Sequence, residues 1–255
     1  TAEGVNSGSS PPAHFCRITS SRHIPWHAQD ALAQVTASDY EPADGAHEFL
    51  VVPELAEAAE RLGVHDVEFL GFDYGDVGTW PAAKEPLVEM IRRVKPDIAI
   101  FQDPEHAQHD LDPDRRMIAL LYPEAFAVAG RDWRIEACGG HPPHPVPTFY
   151  YMTPERPNTI IELSGIFERK QHALEVLGYQ MAFSAASTRQ QVEPSTLRVV
   201  VPDVDGMDDT ALGLALHRQY DLALALTNGL ASHTGAVLGE AYRREGPYLV
   251  DRLVP

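Results

Sequence analysis

The sequence lacks the patterns by which several large classes of protein are recognised. No apolar run approaches the ~18 residues of a membrane-spanning helix, and the first residues lack the basic and apolar regions of a signal peptide. Neither GxGxxG nor GxxxxGK(S/T) occurs, so no phosphate-binding loop is predicted, and the absence of GxSxG leaves a nucleophilic serine without support. These absences predict a cytoplasmic protein that does not span a membrane.

Cysteine and positive charge are both scarce. Cys16 and Cys138 form neither a disulfide framework nor a CxxC metal pair, so free thiols are expected. The chain has 37 acidic and 20 basic residues, and its net charge of −17 repels phosphate backbones. We therefore expect a small-molecule substrate, with no nucleic acid and no membrane as partner, and a homo-oligomer is left open.

The chain is long enough for one large domain with a sizeable core. It has 255 residues, of which 44% are hydrophobic, and no repeat or linker divides them. We predict a single domain over residues 1–255, with an irregular or lid-like segment at 1–46. After this segment helices and strands alternate in the order helix 53–63, strand 67–72, helix 86–95, strand 97–101. This alternation is typical of βαβ units and predicts an α/β, Rossmann-like fold with a mostly parallel sheet flanked by helices. Strands 67–72 and 97–101 are predicted to be neighbours in that sheet.

The second half of the chain continues with helices and strands. Periodicity predicts helices at 112–130, 165–181 and 209–231, and strands at 147–152 and 158–163. The segment RVVVPDV (198–204) fits either a strand or an extended loop. Helix 112–130 has the clearest start, because Asp112 suits the N-cap and Pro113 the first helical position.

The loop DPEHAQHDLDPD (103–114) is dense in potential ligands. It follows a predicted parallel strand and opens a helix, and open α/β sheets bind ligands at such places. His109 and Asp112 have His-x-x-Asp spacing, so a divalent metal site is one interpretation. A solvated acidic loop in which Asp112 caps a helix is the other. The candidates for catalysis in this loop are Asp103, His109, Asp112 and Asp114.

Four groups of segments resemble landmarks of the PIG-L/LmbE-like superfamily of zinc-dependent N-deacetylases, in the right order over residues 54–253. They are ELAEAAERLGV with VEFLGFDYGDV, IRRVKPDIAIFQDPEHAQHDLDPDRR, VPTFYYMTPERPN with IIELSGIFERKQHALEVLGYQ, and GAVLGEAYRREGPYLVDRL. The resemblance implies zinc or another divalent metal that polarises a water, an Asp that takes its proton, and attack on an N-acyl carbonyl. The superfamily also includes hydratases of the 4-oxalomesaconate type, so hydration is an alternative reaction.

Two departures from the family pattern concern the metal ligands. The family's first strand ends in AHPDD, which supplies a His and an Asp ligand, and the alignment places that strand before Thr1. A rival alignment puts the motif at residues 26–31, where His27 and Asp30 keep the ligand spacing. The family's third ligand is a His that aligns with Arg115, whose guanidinium stays protonated and cannot bind zinc. The resemblance therefore implies a domain without its first strand that does not hold zinc in the family's geometry.

These departures leave the type of activity open. The chain is either a metal-dependent hydrolase or hydratase, or an altered member that binds a ligand or a partner subunit. In the enzyme interpretation, Arg115 can pair with an anionic substrate group. His144, on the proline-rich loop HPPHPVP, and Tyr150 then border the substrate pocket, whereas a surface turn is the competing interpretation of that loop.

Overall fold

The structure, a computed structural model, describes residues 17–19, 47–64, 67–70 and 77–246. Helices and strands alternate through these residues, which confirms the predicted α/β class. None of the described helices has an apolar stretch of the length needed to cross a bilayer. In chain order the elements are β1 (Arg17–Thr19), α1 (His47–Leu62), β2 (Val67–Phe69), α2 (Pro81–Val94), β3 (Ile98–Gln102), α3 (Pro104–Ala107), α4 (Pro113–Ala129), β4 (Thr148–Met152), β5 (Thr159–Glu162), α5 (Phe167–Leu174), α6 (Gly178–Gln191), α7 (Pro194–Val200), α8 (Asp209–Leu230) and β6 (Gly239–Glu245).

A four-stranded sheet in the order β3-β4-β6-β5 lies at the centre of the described fold. β3 and β4 run parallel, with Gln102 opposite Met152, whereas β6 pairs antiparallel with both β4 and β5. The sheet is therefore mixed rather than mostly parallel. Because β3 and β4 end at the same edge, the segments that follow them emerge side by side. We call this edge the carboxyl edge.

The predicted pairing of strand 67–72 with strand 97–101 is wrong in the part of the chain that the structure describes. β2 pairs in parallel with β1, with Val67 opposite Arg17, and β3 has β4 as its parallel neighbour. β1 also lies inside segment 1–46, for which the sequence predicts no regular structure. The alternation of helix and strand predicts parallel strands but does not determine which of them become neighbours, since that choice depends on contacts far apart in sequence.

α2 and α4 pack together against one face of β3 and β4. Alternate residues of a strand point to the same face, and Ala99 and Phe101 of β3 both point toward these helices. The main side chains of this core are Val88, Ile91, Ala99, Phe101, Ile118, Leu121, Tyr122 and Tyr151. The packing fixes the direction in which β3 delivers the loop that follows it.

The predicted helix 165–181 is two helices, α5 and α6, separated at residues 175–177. Leu177 provides no side-chain cap for α6. Glu54 of α1 takes that role, since its two carboxylate oxygens each lie 3.3 Å from the backbone N–H of Tyr179, which donates to them. Burial raises the pKa of Glu54, although the N–H of Tyr179 lowers it. A cap supplied from another helix cannot be read from the local sequence.

The segment 198–204 begins as a helix and not as the predicted strand or extended loop. Its first three residues are the end of α7. Pro194 occupies the first turn of this helix, where its missing N–H costs nothing. Leu197 and Val201 pack with Leu212 of α8. Burial of this helical face outweighs the strand propensity of the valine run.

Asp221 of α8 is a buried carboxylate among the helices. It is 3% exposed, and its Oδ2 accepts a hydrogen bond from Gln171 at 2.8 Å, while Oδ1 has no hydrogen-bond partner among the described residues. Burial raises the pKa of Asp221 more than Lys170, Gln171 and His217 lower it, and Glu240 raises it further. The ionised carboxylate is therefore the costly form in the folded protein.

We expect Asp221→Asn to raise the free energy of unfolding near neutral pH by about 1 kcal/mol, the usual size of a single-site effect. Because the folded pKa lies above the unfolded one, stability is lost as the pH rises through the interval between them, and the amide removes this loss. Below the ordinary pKa of Asp the side chain at position 221 is neutral in both proteins, so the difference in free energy of unfolding should vanish. Urea unfolding across pH measures this, and a gain that persists in acid contradicts it.

Candidate functional site

The loops that follow β3 and β4 are joined at the carboxyl edge by Asp103. The backbone N–H of Glu155, after β4, donates to Oδ2 of Asp103 at 3.3 Å. The N–H of Glu105 donates to Oδ1 at 3.0 Å, so Asp103 also caps α3. Ligands of open α/β sheets bind at the carboxyl ends of strands. This edge is therefore the candidate site.

Arg243 of β6 is the cation that faces Asp103. Asp103 is 0% exposed, and Nη2 of Arg243 lies 3.2 Å from its Oδ1. The same guanidinium lies 3.3 Å from a carboxylate oxygen of Glu105 and 3.4 Å from one of Glu245, and 4.3 Å from the ring centroid of Tyr151. A buried carboxylate needs such a partner and hydrogen bonds to be tolerated. These contacts fix the orientation of Asp103 and tie β6 to the loop after β3.

Arg115 is paired within its own loop. Its Nη1 lies 3.1 Å from Oδ2 of Asp110, and its Nε lies 3.7 Å from Oδ2 of Asp112. Oδ1 of Asp112 accepts the backbone N–H groups of Asp114 at 2.9 Å and Arg115 at 3.4 Å, so Asp112 is the N-cap of α4, as the sequence predicts. An anionic substrate that pairs with Arg115 has to displace one of these two carboxylates.

His109 is the most accessible of the four predicted catalytic side chains. Asp103 and Asp114 are buried, and Asp112 is half-buried with its carboxylate on the helix end. His109 is exposed, and within the described ranges no hydrogen bond or ion pair reaches its imidazole. A ligand at the carboxyl edge can therefore reach His109 without breaking a contact.

His144 lies away from this group. Its Nε2 donates to the carbonyl of Pro96 at 3.0 Å. Pro96 precedes β3 and His144 precedes β4, so this bond lies at the opposite edge of the sheet, about 17 Å away along a five-residue strand. Tyr150 lies within β4, with its ring centroid 5.8 Å from that of Tyr242.

The predicted ligand pair His27 and Asp30 lies outside the described residues. The prediction that these two residues bind a metal therefore rests on the sequence.

The described loop does not fit a zinc ion held in the family's way. A catalytic zinc needs three protein ligands, and in the part of the chain that is described no three His, Cys, Asp or Glu side chains lie close enough to hold a metal ion. Asp112 uses one carboxylate oxygen to cap α4, and the other faces Arg115. A fixed cation at that position repels a dication. In this loop His109 has no partner among the described residues, whereas His106 makes its contact through Nδ1, which lies 2.7 Å from a carboxylate oxygen of Glu155.

The sequence did not reveal Arg243 as a site residue. The segment around it contains GEAYRRE, in which charged residues predominate, so no strand was predicted there. The residue pairs with Asp103 because β6 inserts between β4 and β5. The pair Arg243-Arg244 does not single out this position, because the sequence has two other such pairs, at 92–93 and 115–116.

Comparison with known protein sequences gives a partial match. No family model matches the chain. The diacetylchitobiose deacetylase of Thermococcus kodakarensis is 27% identical over 123 residues, which are 48% of this chain and 46% of that relative. The chain thus spans about half the length of this curated relative.

Comparison with solved structures covers most of the chain. The N,N'-diacetylchitobiose deacetylase from Pyrococcus horikoshii, complexed with its inhibitor MPG, has a TM-score of 0.58 and 18% identity over 82% of this chain and 68% of that chain. GalB, the 4-carboxy-2-hydroxymuconate hydratase from Pseudomonas putida KT2440, has a TM-score of 0.52 and 17% identity over 93% of this chain and 99% of that chain. The chain therefore has the same α/β fold as these two solved structures, a deacetylase and a hydratase.

Proposed function

We propose that this chain is a metal-dependent hydrolase of the PIG-L/LmbE type that cleaves an N-acyl amide of a small polar molecule. The observation that carries the proposal is His109, an exposed imidazole without a partner among the described residues, in the loop that follows β3 at the carboxyl edge. Likeness to a deacetylase in sequence and in fold supports amide hydrolysis as the reaction. A net charge of −17 favours a small polar substrate over a phosphate polymer.

The described residues have separate roles in this proposal. His109 serves as a ligand of the divalent ion, because an exposed imidazole without a partner among the described residues can coordinate a metal. Asp103 and Arg243 hold the loops after β3 and β4 in place, and Asp112 holds the first turn of α4.

The cofactor of this proposal is zinc or another divalent ion, whose chemistry is to polarise the acyl carbonyl and activate water. Since the described loop offers His109 but no complete ligand set, the remaining ligands must come from outside the described residues. His27 and Asp30 are the candidates that the sequence supplies.

The experiment is acetate release from N-acetylglucosamine and N,N'-diacetylchitobiose by the full chain with zinc supplied. His109→Ala should abolish acetate release, because loss of one ligand leaves a catalytic zinc with fewer than the three protein groups that it needs. The melting temperature of the metal-free protein should stay unchanged, because no described residue bonds to this imidazole. His172→Ala, at an exposed histidine of α5, is the matched control and should keep full activity. Full activity in His109→Ala would refute the assigned role, and no acetate release from any preparation would refute the hydrolase.

Hydration of a carbon–carbon double bond is the second candidate, because this chain spans 99% of the length of a solved hydratase of the same fold. The test is consumption of 4-carboxy-2-hydroxymuconate, followed by loss of its conjugated absorbance. Hydration without acetate release would replace the hydrolase by a hydratase. If folded protein is silent in both assays, the altered member that binds a ligand or a partner subunit is the remaining interpretation.

A further inference from the structure

A cavity lies on the face of the sheet that packs against α4. It has a volume of about 370 Å³, within the range of small-molecule pockets. Its walls come from α4, from β3 and β4, and from the loop between α4 and β4, with the end of β6 at one side. We call it the aromatic cleft. Residues 103–115 do not line it, although Tyr151 and Glu245 in its wall also contact Arg243 of the candidate hydrolase site.

Four aromatic rings form the wall of the aromatic cleft and hold one another in place. The ring centroid of Phe101 lies 5.3 Å from that of Phe126, 5.9 Å from that of Phe149 and 4.8 Å from that of Tyr151. Phe126 and Phe149 are themselves 5.2 Å apart. Aromatic pairs at 4.5–7 Å attract each other, so this wall is formed before any ligand arrives. A flat apolar group can add to it with the same geometry.

The two charged side chains of the aromatic cleft differ in their partners. A carboxylate oxygen of Glu245 lies 3.4 Å from Nε of Arg243, which offsets its charge. Arg131 is exposed, and in the described residues no hydrogen bond or ion pair involves its guanidinium, although its carbonyl accepts a bond from Arg92. The uncompensated charge at the cleft is therefore positive, on a chain whose net charge is −17.

A simpler role for Arg131 is to place a cation just beyond the C-terminus of α4, where the helix dipole favours it. That role requires neither a cavity nor aromatic walls beside the guanidinium. A preformed aromatic wall beside a guanidinium without a partner among the described residues instead favours a ligand that has both an aromatic ring and a negative charge.

We propose that the aromatic cleft binds a small arylcarboxylate. The aromatic ring of the ligand lies against Phe126, Phe149 and Tyr151, and its carboxylate takes the two parallel N–H donors of Arg131. A neutral or cationic aromatic compound gains the ring contacts but not the ion pair. This ligand site is independent of the proposed hydrolase reaction.

Titration calorimetry of the full chain with 3-phenylpropionate, 3-phenylpropanamide and 3-phenylpropylamine tests the ligand class. These probes share the ring and differ in the charge of the head group. The carboxylate should bind with one-to-one stoichiometry and about tenfold more tightly than the amide, as expected for a hydrogen-bonded charge. Equal or tighter binding of the amide or the amine, or no binding of the carboxylate at millimolar concentration, would overturn the proposal.

Three variants test the location of the site. Arg131→Gln should weaken 3-phenylpropionate about tenfold, to the affinity of the amide. Arg198→Gln, at an arginine of α7 that pairs with Asp205, is the matched control and should bind as the unaltered chain does. Ala127→Leu fills the aromatic cleft from the exposed side of α4 and should remove binding. Binding unaffected by Arg131→Gln or by Ala127→Leu would also overturn the proposal.

Discussion

Replacing Arg92 by leucine is expected to lower the free energy of unfolding by about 3–5 kcal/mol. Arg92 is 0% exposed and donates four hydrogen bonds to carbonyl oxygens. Its Nε bonds to Ala129 at 3.1 Å, and its Nη2 bonds to Val128 at 3.3 Å, Arg131 at 2.7 Å and Trp133 at 2.9 Å. The last carbonyls of a helix have no donor within the helix, so this side chain of α2 completes the end of α4. Leucine removes these four bonds. The carbonyls of Val128, Ala129 and Arg131 each keep a backbone N–H donor, whereas that of Trp133 loses the donor shown for it among the described residues.

Arg93→Leu is the matched control for this experiment. Arg93 is exposed and forms ion pairs with Glu68 at 2.6 Å and Glu89 at 3.8 Å. Exposed ion pairs contribute about 0–1 kcal/mol, so the control should lose little. Urea unfolding of both variants measures the difference. Similar losses at the two positions would show that the bonds of Arg92 to α4 contribute little to stability.

Replacing Asp103 by alanine is expected to have the second large effect, a loss of about 3–5 kcal/mol together with loss of activity. The change removes the buried partner of Arg243 and the acceptor for the N–H groups of Glu105 and Glu155. The loops after β3 and β4 then lose the side chain that joins them. Asp103→Asn keeps one oxygen acceptor and should cost less than the alanine change.

The matched control for Asp103 is Asp209→Asn, which removes an exposed ion pair to Arg189 and should change stability by less than about 1 kcal/mol. Unfolding and acetate release are measured on the same preparations. A stable, active Asp103→Ala protein would show that the network around Arg243 does not support the candidate site.

Features set by neighbouring residues were predictable from the sequence. The start of α4 follows from Asp112 and Pro113, because an N-cap acceptor and a proline at the first helical position act within one turn. The acidic loop 103–114 was correctly placed after a strand, since a short apolar run and the helix start bound it on both sides. Both features depend on residues within a few positions of one another, and both are present in the structure.

Features that depend on distant contacts were not predictable. The pair of Asp103 and Arg243 exists only because β6 lies beside β4, and nothing near either residue indicates this. The separation of α5 from α6 depends on Glu54, which caps α6 from α1. Likewise, His144 lies at the opposite edge because it precedes β4, which pairs in parallel with β3. Strand order and caps between helices are tertiary properties, which propensity and spacing do not encode.

The most direct test of the proposed site is the divalent-metal content of the full chain purified without chelator. The unaltered protein is compared with His109→Ala and Arg115→Gln. Because the imidazole of His109 has no partner among the described residues and Arg115 is a paired cation, we predict about one equivalent of metal in the unaltered chain and in Arg115→Gln, and a marked loss in His109→Ala. An unaltered chain without metal, or a His109→Ala variant that keeps its full content, would contradict the account.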